Sequence, residues 1–299
     1  MRTSAPRAVL VTRPSDFERV LARHATYEQA RFFLRTRGQS IERLQLQHQR
    51  LVEAVTTVQG AIPVEWRRAS VKREDLDRFL FEPGDVVVAV GQDGLVANLA
   101  KYLDGQIVIG VNPDRERYDG LLVPCSPDEA AGLLPRAAAG DVALQQRTMA
   151  RAELEDGQRL LALNEVFVGH ASHQSARYRL RWEERAERQC SSGVIVCTGT
   201  GATGWARSIC RERGDLVELP GPEESALAFL VREAFPSVST GTSLTGGSLA
   251  TGARLELVSE MDGGVIFGDG IEADRLRFRW GQTVSVSVAR ERLNLAILG

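Results

Sequence analysis

Apolar runs alternate with helical stretches over the first 125 residues of the chain. The clearest runs are "AVLVT" at 8–12, "DVVVAV" at 85–90 and "QIVIGV" at 106–111, and "IPVEW" at 62–66 is predicted as a further strand. Between the runs, apolar residues recur at the three- and four-residue spacing of one helix face. Strands that alternate with helices in this way predict a parallel sheet with helices on its faces.

Capping residues predict where the helices of this half begin. Ser15, Thr26 and Ser40 each precede a stretch of helical spacing, and such side chains accept from the free N–H groups of a first turn. The third helix is predicted over 41–59, ending at Gly60. Its apolar positions that should share one face are Ile41, Leu44, Leu51, Val52 and Val55.

The pattern changes at about residue 160, where short apolar or alternating runs follow one another closely. Turn residues separate these runs, which predicts a mostly antiparallel, sandwich-like second half. A Gly/Ser/Thr-rich tract at 239–252 is predicted to be a mobile loop. The predicted runs are 162–169, 176–184, 192–199, 253–260, 263–270, 275–280, 283–289 and 292–298.

We therefore expect an α/β Rossmann-like N-terminal domain followed by an all-β, sandwich-like C-terminal domain. The expected boundaries are 1–125 for the first domain, 126–159 for a junction with one helix, and 160–299 for the second. A chain of 299 residues with 43% hydrophobic content can supply a core for each domain.

The charge and cysteine content exclude several classes of protein. The formal net charge of −2 gives no sign of nucleic acid or an anionic membrane as partner. The four cysteines form no C-x-x-C pair, which is typical of reduced thiols in a cytosolic protein. No apolar run has the length of a membrane span, and the N-terminus lacks the apolar segment of a signal peptide. We expect a soluble, cytoplasmic protein.

Common catalytic motifs are absent or weak. The only two lysines, Lys72 and Lys101, do not stand in a Walker A setting, which excludes P-loop chemistry. "GTGATG" at 199–204 matches G-x-G-x-x-G, but it lies within the β-rich half and lacks the βαβ context of a dinucleotide fingerprint. His170 and His173 lack further ligands at metal spacing, so surface histidines are the favoured interpretation.

The loop Gly91–Gly94 has two interpretations. "GQDG" follows the buried run 85–90 and precedes a helical stretch, so Asp93 could serve only as a helix cap. However, ligands bind at the carboxyl ends of parallel strands, and backbone N–H groups at a helix start attract anions. The position favours a phosphate site that carries one acid.

Several segments together resemble the NAD kinase family. "VVVAVGQDGLVANLAKYL" is similar to the family's Gly-Gly-Asp-Gly loop and following helix, "ALNEVFVG" to its Asn-Glu strand, and "SSGVIVCTGTGATGWA" to its Thr/Gly-rich loop. The sequence resembles the mitochondrial-type branch, which also occurs in bacteria and carries "SSG" and "CTGTG" where ordinary bacterial enzymes have an aspartate and a proline. "IVIGVNPDRERYDGLL" and "MDGGVIFGDG" fit the same branch. The resemblance covers about residues 83–299.

The resemblance implies transfer of the γ-phosphate of ATP to the 2′-hydroxyl of the adenosine ribose of NAD, giving NADP. Asp93 matches the catalytic aspartate, which activates that hydroxyl or helps to place Mg²⁺. No metal site built from protein side chains is expected, and Mg²⁺ is expected with ATP. The residues matched to ATP or its phosphates are Gly91, Gln92, Gly94 and Asn112. The residues matched to NAD are Asn164, Glu165, Thr200, Gly201, Thr203, Gly204 and Asp269.

Two departures from the family pattern leave alternatives open. Gln92 replaces the second glycine of the loop, and Leu95 replaces its threonine. An NAD(P)-binding sensor with a degenerate donor site, and a superfamily kinase acting on a lipid or another nucleotide, therefore remain alternatives to an NAD kinase. The expected partners are small nucleotides, with no nucleic acid and no membrane, and the expected assembly is a homodimer.

Overall fold

The chain folds into two compact units. The computed structural model describes residues 5–214 and 217–298. The first unit comprises residues 1–145 together with 294–299, and the second comprises 146–293. Residues 126–145, which the sequence assigned to the junction, lie in the first unit.

The first unit is a parallel sheet with helices. Its strands are β1 (Arg7–Thr12), β2 (Arg67–Lys72), β3 (Asp85–Val90) and β4 (Ile107–Val111). Its helices are α1 (Asp16–His24), α2 (Tyr27–Arg35), α3 (Ile41–Ala61), α4 (Asp93–Ala100) and α5 (Pro127–Ala138), with a 3₁₀ turn at Arg73–Arg78. The strands lie in the order β2-β1-β3-β4 and pair in parallel. The order reverses between β1 and β3, which is where sheets of this kind bind ligands.

Strand β3 lies in the middle of this sheet, and all six of its residues are buried. Burial on both faces explains why it is apolar without alternation. On one face, Val86 and Val88 pack in a core with Ala54 and Val58 of α3. Helix α5 adds Leu133, Leu134 and Ala137 to the same core. Strand β3 is thus tightly packed, and this packing fixes the position at which the following loop begins.

The second strand of the sheet was predicted wrongly. The run 62–66 is not a strand, and β2 is instead Arg67–Lys72, of which only Val71 is buried. An edge strand keeps its polar side chains in solvent, so hydrophobic spacing does not identify it. Helix α3 also runs through Gly60 to Ala61, and Val52 is 47% exposed rather than on the core face.

The second unit consists of two antiparallel sheets. The strands are β5 (Leu144–Leu154), β6 (Arg159–Ala162), β7 (Glu165–His170), β8 (Ala176–Trp182), β9 (Arg185–Ser191), β10 (Val194–Cys197), β11 (Ala226–Val231), β12 (Gly246–Ala250), β13 (Arg254–Ser259), β14 (Gly264–Gly268), β15 (Leu276–Phe278) and β16 (Thr283–Ala296). One sheet has the order β12-β11-β10-β7-β14-β15. The other contains β16-β13-β8-β9, in which β5 pairs with β16 and β6 pairs with β5. Tyr178, Phe229 and Phe278 are fully buried in the core that the sheets share. The prediction of an α/β part followed by a sandwich-like β part is confirmed.

Some strands of this unit were missed from sequence. The tract 239–252, predicted as a mobile loop, contains β12, which pairs with β11. The strand β5 begins inside the predicted junction, and the runs 283–289 and 292–298 form the single strand β16. Helix α6 (Trp205–Arg213) follows the Thr/Gly-rich loop. No helix in the described ranges is long and apolar enough to cross a membrane.

Strand β16 ends in the first unit. Residues from Asn294 onward belong to that unit, where Asn294 and Leu295 pair in parallel with Ile107 and Val108 of β4. The Asn294 amide also donates to the carbonyl oxygen of Gly105 at 2.8 Å. The chain therefore contributes one short strand segment to the first unit after passing through the second.

Candidate active-site residues

A small, partly open pocket lies in the first unit where strands β1, β3 and β4 end. The loop after β1 contributes Arg13 and Ser15, the loop after β3 contributes Gly91 and Gln92, and the loop after β4 contributes Asp114. Helix α3 closes one side with apolar side chains. The pocket is thus built at the reversal of strand order, the position that the sequence analysis singled out for a ligand.

The Gln92 side chain lines this pocket and forms a hydrogen bond with an arginine there. Gln92 occupies the N-cap position of α4, yet its side chain makes no capping hydrogen bond. Its Oε1 instead accepts a hydrogen bond from the Arg13 guanidinium. A contact between residues 13 and 92 joins the ends of two neighbouring strands, β1 and β3.

Asp93 is the first residue of α4, and the structure does not support its interpretation as the helix cap. Its carboxylate accepts hydrogen bonds from the backbone N–H groups of Leu121, at 3.2 Å, and Leu122, at 2.8 Å. Each oxygen keeps further acceptor capacity. The acid is therefore fixed in place by the loop after β4. Gly94 follows it and is exposed.

Asn112 and Leu95 serve the local structure. The Asn112 amide donates to the carbonyl oxygen of Tyr118, and its Oδ1 accepts from the N–H of Asp114, each at 2.9 Å. Asn112 thereby shapes the loop that borders the pocket, and its proposed contact with phosphate stays a prediction. Leu95 is fully buried, 3.3 Å from where a Cβ on Gly91 would stand. The leucine in place of threonine thus fills the core beneath the loop.

In the second unit, three segments matched to NAD binding meet at the backbone of Leu163–Glu165. The Asp269 carboxylate accepts from the N–H groups of Leu163, at 3.1 Å, and Asn164, at 2.6 Å. The Asp269 N–H in turn donates to the carbonyl oxygen of Glu165 at 3.1 Å. Asp269 holds a positive φ of 54°, an uncommon conformation for a residue with a side chain. Its place is thus determined by three hydrogen bonds.

Thr198 is a structural residue that the sequence analysis missed. Its hydroxyl donates to the carbonyl oxygen of Leu163 at 2.5 Å and accepts from the N–H groups of Thr200 and Gly201. The Thr198 N–H also donates to the carbonyl oxygen of Asn164. One buried hydroxyl therefore ties the Thr/Gly-rich loop to the Asn-Glu strand. The only sequence signal is that this threonine opens the loop.

Gly201 is required by close approach of the backbone. A Cβ on Gly201 would stand 2.1 Å from the carbonyl oxygen of Asn164, a distance that no side chain can occupy. Thr200 is buried, and its hydroxyl accepts from the Arg147 guanidinium at 3.5 Å. Thr203 and Gly204 are exposed, and the Thr203 hydroxyl donates to the carbonyl oxygen of Thr200. The loop thus has a packed side and an open side.

Glu165 is an unusual acid in this cluster. Burial, and then the neighbouring charge of Asp269, raise the pKa of Glu165 to about 7. Near neutral pH a fraction of Glu165 therefore carries a proton and can donate a hydrogen bond, for example to a hydroxyl or ring nitrogen of a nucleoside. The neighbouring Asp269 carboxylate accepts hydrogen bonds from two backbone N–H groups.

Residues 5–214 and 217–298 contain no group of three or more His, Cys, Asp and Glu side chains that could hold a metal ion. His170, which the sequence analysis interpreted with His173 as a surface histidine, is half-buried and accepts from the N–H of Ser172 through Nδ1, and His173 is exposed. All four cysteines are free thiols.

The chain is similar in sequence to several NAD kinases. No family model matches the chain. It is 30% identical over 196 residues to "NAD kinase 2, mitochondrial" of Rattus norvegicus, covering 50% of this chain and 46% of that protein. It is 33% identical over 133 residues to "NAD kinase" of Psychrobacter arcticus, covering 42% of this chain and 40% of that protein. The aligned part of the chain spans less than half the length of each.

A solved structure extends the similarity to the whole fold. The crystal structure of an NAD kinase from Archaeoglobus fulgidus in complex with ATP superposes with a TM-score of 0.59. The match covers 97% of this chain and 93% of that one at 17% sequence identity, which supports the shared fold. By sequence the chain is similar to bacterial and mitochondrial-type NAD kinases, and by fold to an archaeal one, which confirms its resemblance to the NAD kinase family.

Proposed function

We propose that this protein is an NAD kinase, a phosphotransferase with an alcohol group as acceptor. It transfers the γ-phosphate of ATP to the 2′-hydroxyl of the adenosine ribose of NAD, giving NADP. The observation that carries the proposal is the convergence of Asn164–Glu165, Thr200–Gly201 and Asp269 on one stretch of backbone in the second unit. These segments are far apart in sequence, and each matches the family's dinucleotide site.

NAD binding is assigned to the second unit. Asn164 and Glu165 supply an amide and a partly protonated carboxyl group, which can bond the hydroxyl and ring-nitrogen atoms of adenosine. The exposed side of the loop, at Thr203 and Gly204, offers backbone N–H groups to the pyrophosphate. Thr198 and Gly201 keep that loop in position.

The donor is assigned to the first unit. Gly91, Gln92 and Gly94 lie at the start of α4, whose N–H groups attract phosphate. Asp93 is the proposed general base for the ribose hydroxyl, a role worth about 10²–10⁴ in rate. Two backbone N–H groups orient its carboxylate, so little positional freedom is lost when a substrate binds.

Mg²⁺ fits the proposal as an ion that binds together with ATP. Because the described residues form no cluster of metal ligands, the ion would be held mainly by the phosphates, with Asp93 as the carboxylate at hand. Mg²⁺ would neutralise charge on the transferring phosphoryl group. We further propose a cytoplasmic homodimer that takes part in NADP biosynthesis.

One observation favours a second function, an NAD(P)-binding sensor. Gln92 replaces a glycine at the donor loop and is bonded to Arg13, which could reflect a donor site that no longer works. The test is NADP formation by the purified full chain with NAD, ATP and Mg²⁺, together with thermal shifts for each ligand alone. An enzyme responds to NAD and to Mg-ATP and makes NADP.

A protein stabilised by NAD, indifferent to Mg-ATP at millimolar concentration and forming no NADP over hours is a sensor. Binding at 100 times Kd stabilises the native state by about 2.7 kcal/mol, which is easily measured. A lipid or another nucleotide that replaces NAD as acceptor in the same assay would identify the remaining alternative.

A further inference from the structure

The Arg13 side chain is partly buried in the pocket of the first unit. The Arg13–Gln92 hydrogen bond uses one of its five donors, and it makes no salt bridge with any residue at 5–214 or 217–298. Burial lowers the pKa of Arg13 below its usual value. A cation withdrawn from water without a counter-charge is costly, so such a site favours an anion.

Two other half-buried arginines of this unit each form a salt bridge with an aspartate. Arg7 lies 2.6 Å from a carboxylate oxygen of Asp85, and Arg50 lies 2.6 Å from a carboxylate oxygen of Asp114. The carboxylates around Arg13 form salt bridges with other arginines. Asp16 pairs with Arg19, and Asp114, which also lines the pocket, pairs with Arg50.

Two further arginines act electrostatically on Arg13. Arg19 and Arg73 both act on Arg13 as like charges, and Asp16 and Tyr118 act in the opposite sense. The chain has only two lysines, and neither lines this pocket. Arginine is also the side chain best suited to phosphate, because its planar fork can donate two parallel hydrogen bonds.

We propose that Arg13 binds the phosphate chain of the donor, and that Gln92 positions Arg13 for that contact. The inference rests on the proposed function in taking the anion to be the donor's phosphates. It explains why a side chain stands at position 92 where the family has glycine. The amide of Gln92 fixes the guanidinium without neutralising it, since its oxygen carries no net charge. Gln92 is therefore a positioning residue, and Arg13 is the ligand-binding one.

The test measures binding of inorganic tripolyphosphate to the full-length chain by calorimetry, without NAD and without Mg²⁺. We expect Arg13→Ala to weaken binding about 10- to 100-fold, the range for a lost charge-assisted hydrogen bond. Arg13→Lys, which keeps the charge and loses the fork, should fall between Arg13→Ala and the unchanged protein. The matched control is Arg31→Ala, which removes an exposed arginine of the same unit that pairs with Glu28 and should bind as the unchanged protein does.

The Gln92→Glu variant tests whether Gln92 orients Arg13 for phosphate or only stabilises the folded protein. A glutamate at this position can hold Arg13 at least as firmly, so the melting temperature should be kept. Its charge, however, occupies and neutralises the guanidinium, so tripolyphosphate binding should fall about 10-fold or more. Gln92→Gly should weaken binding less than Arg13→Ala does, and it should add nothing to Arg13→Ala in the double variant. If Arg13→Ala does not fold, Gln92→Glu and Arg13→Lys carry the test.

Equal binding by the unchanged protein, Arg13→Ala and Gln92→Glu would overturn the inference, as would failure of the unchanged protein to bind tripolyphosphate at millimolar concentration. The NADP assay keeps this result apart from the proposed function. NADP formation with binding unaffected by Arg13 leaves the function standing and removes the inference. Arg13-dependent binding without NADP formation keeps Arg13 as a polyphosphate ligand and removes the kinase activity, and with it the identification of that ligand as the donor.

Discussion

Glu165 and Asp269 are neighbouring carboxyl groups, and the backbone joins them because the Asp269 N–H donates to the Glu165 carbonyl oxygen at 3.1 Å. Burial and the charge of Asp269 raise the pKa of Glu165 from 4.5 to about 7 in the folded protein. Between these two values the native state binds more protons than the unfolded state. The free energy of unfolding that depends on this group must therefore fall as pH rises through the interval.

Glu165→Gln should remove this pH dependence. We expect the unchanged protein to lose on the order of 1–3 kcal/mol of stability between pH 4.5 and 7 through Glu165 alone. The glutamine variant should lack that loss and be the more stable of the two at pH 8. Denaturant unfolding at a series of pH values measures it. Glu184→Gln, at an exposed position, is the control, and parallel curves for all three proteins would contradict the prediction.

Asp93→Asn should abolish phosphoryl transfer and leave the affinity for NAD within a few-fold. The change removes the charge and basicity of the acid while keeping its size. The asparagine can accept from only one of the N–H groups of Leu121 and Leu122, because its NH₂ opposes the other, so we also expect a stability loss of about 1–3 kcal/mol. Turnover, NAD titration and denaturant unfolding check the three parts.

Near-normal turnover in Asp93→Asn would exclude the role of base or magnesium ligand. Asp77→Asn in the 3₁₀ turn Arg73–Arg78 is a suitable control, because its carboxylate is exposed and pairs with the neighbouring Arg78. It should leave both stability and turnover unchanged.

Asn164→Ala should weaken NAD and spare ATP. A lost hydrogen bond to a hydroxyl or ring nitrogen costs about 1–3 kcal/mol, or about 5- to 150-fold in Kd. Separate calorimetric titrations with NAD and with Mg-ATP distinguish the ligands. A variant whose affinity for ATP falls while that for NAD holds would reverse our assignment of the two sites.

Gly201→Ala should damage the dinucleotide loop. The added methyl group would meet the carbonyl oxygen of Asn164 at 2.1 Å, so the loop must shift at a cost of about 1–3 kcal/mol. We expect weaker NAD binding together with lower thermal stability. Gly132→Ala is the matched control, because that position lies within α5 with open space around it and should gain about 0.5–1 kcal/mol. A Gly201→Ala protein that binds NAD normally would show that the loop is pliable.

Local signals predicted the elements that depend on local physics. Ser15, Thr26 and Ser40 each accept from a first-turn N–H as predicted, and the apolar run of β3 is buried throughout. The polar strands β2 and β12 escaped prediction because their partners, not their own side chains, hold them in place.

The same distinction applies to the site. Family resemblance identified Asn164, Glu165 and Asp269, whose convergence the structure shows. The Arg13–Gln92 contact and the hydrogen bonds of Thr198 could not be inferred from sequence. Each joins residues brought together by tertiary structure, through atoms that no local pattern describes.

Strand β16 has a consequence for how the protein is made. Strand β4 gains its last partners, Asn294 and Leu295, only after the whole of 146–293 has left the ribosome. Until then the first unit exposes an unsatisfied row of backbone groups beside β4, a surface prone to wrong pairing. The first unit, which is the proposed donor half, therefore stays incomplete during translation of the second unit. It must avoid aggregation over that time.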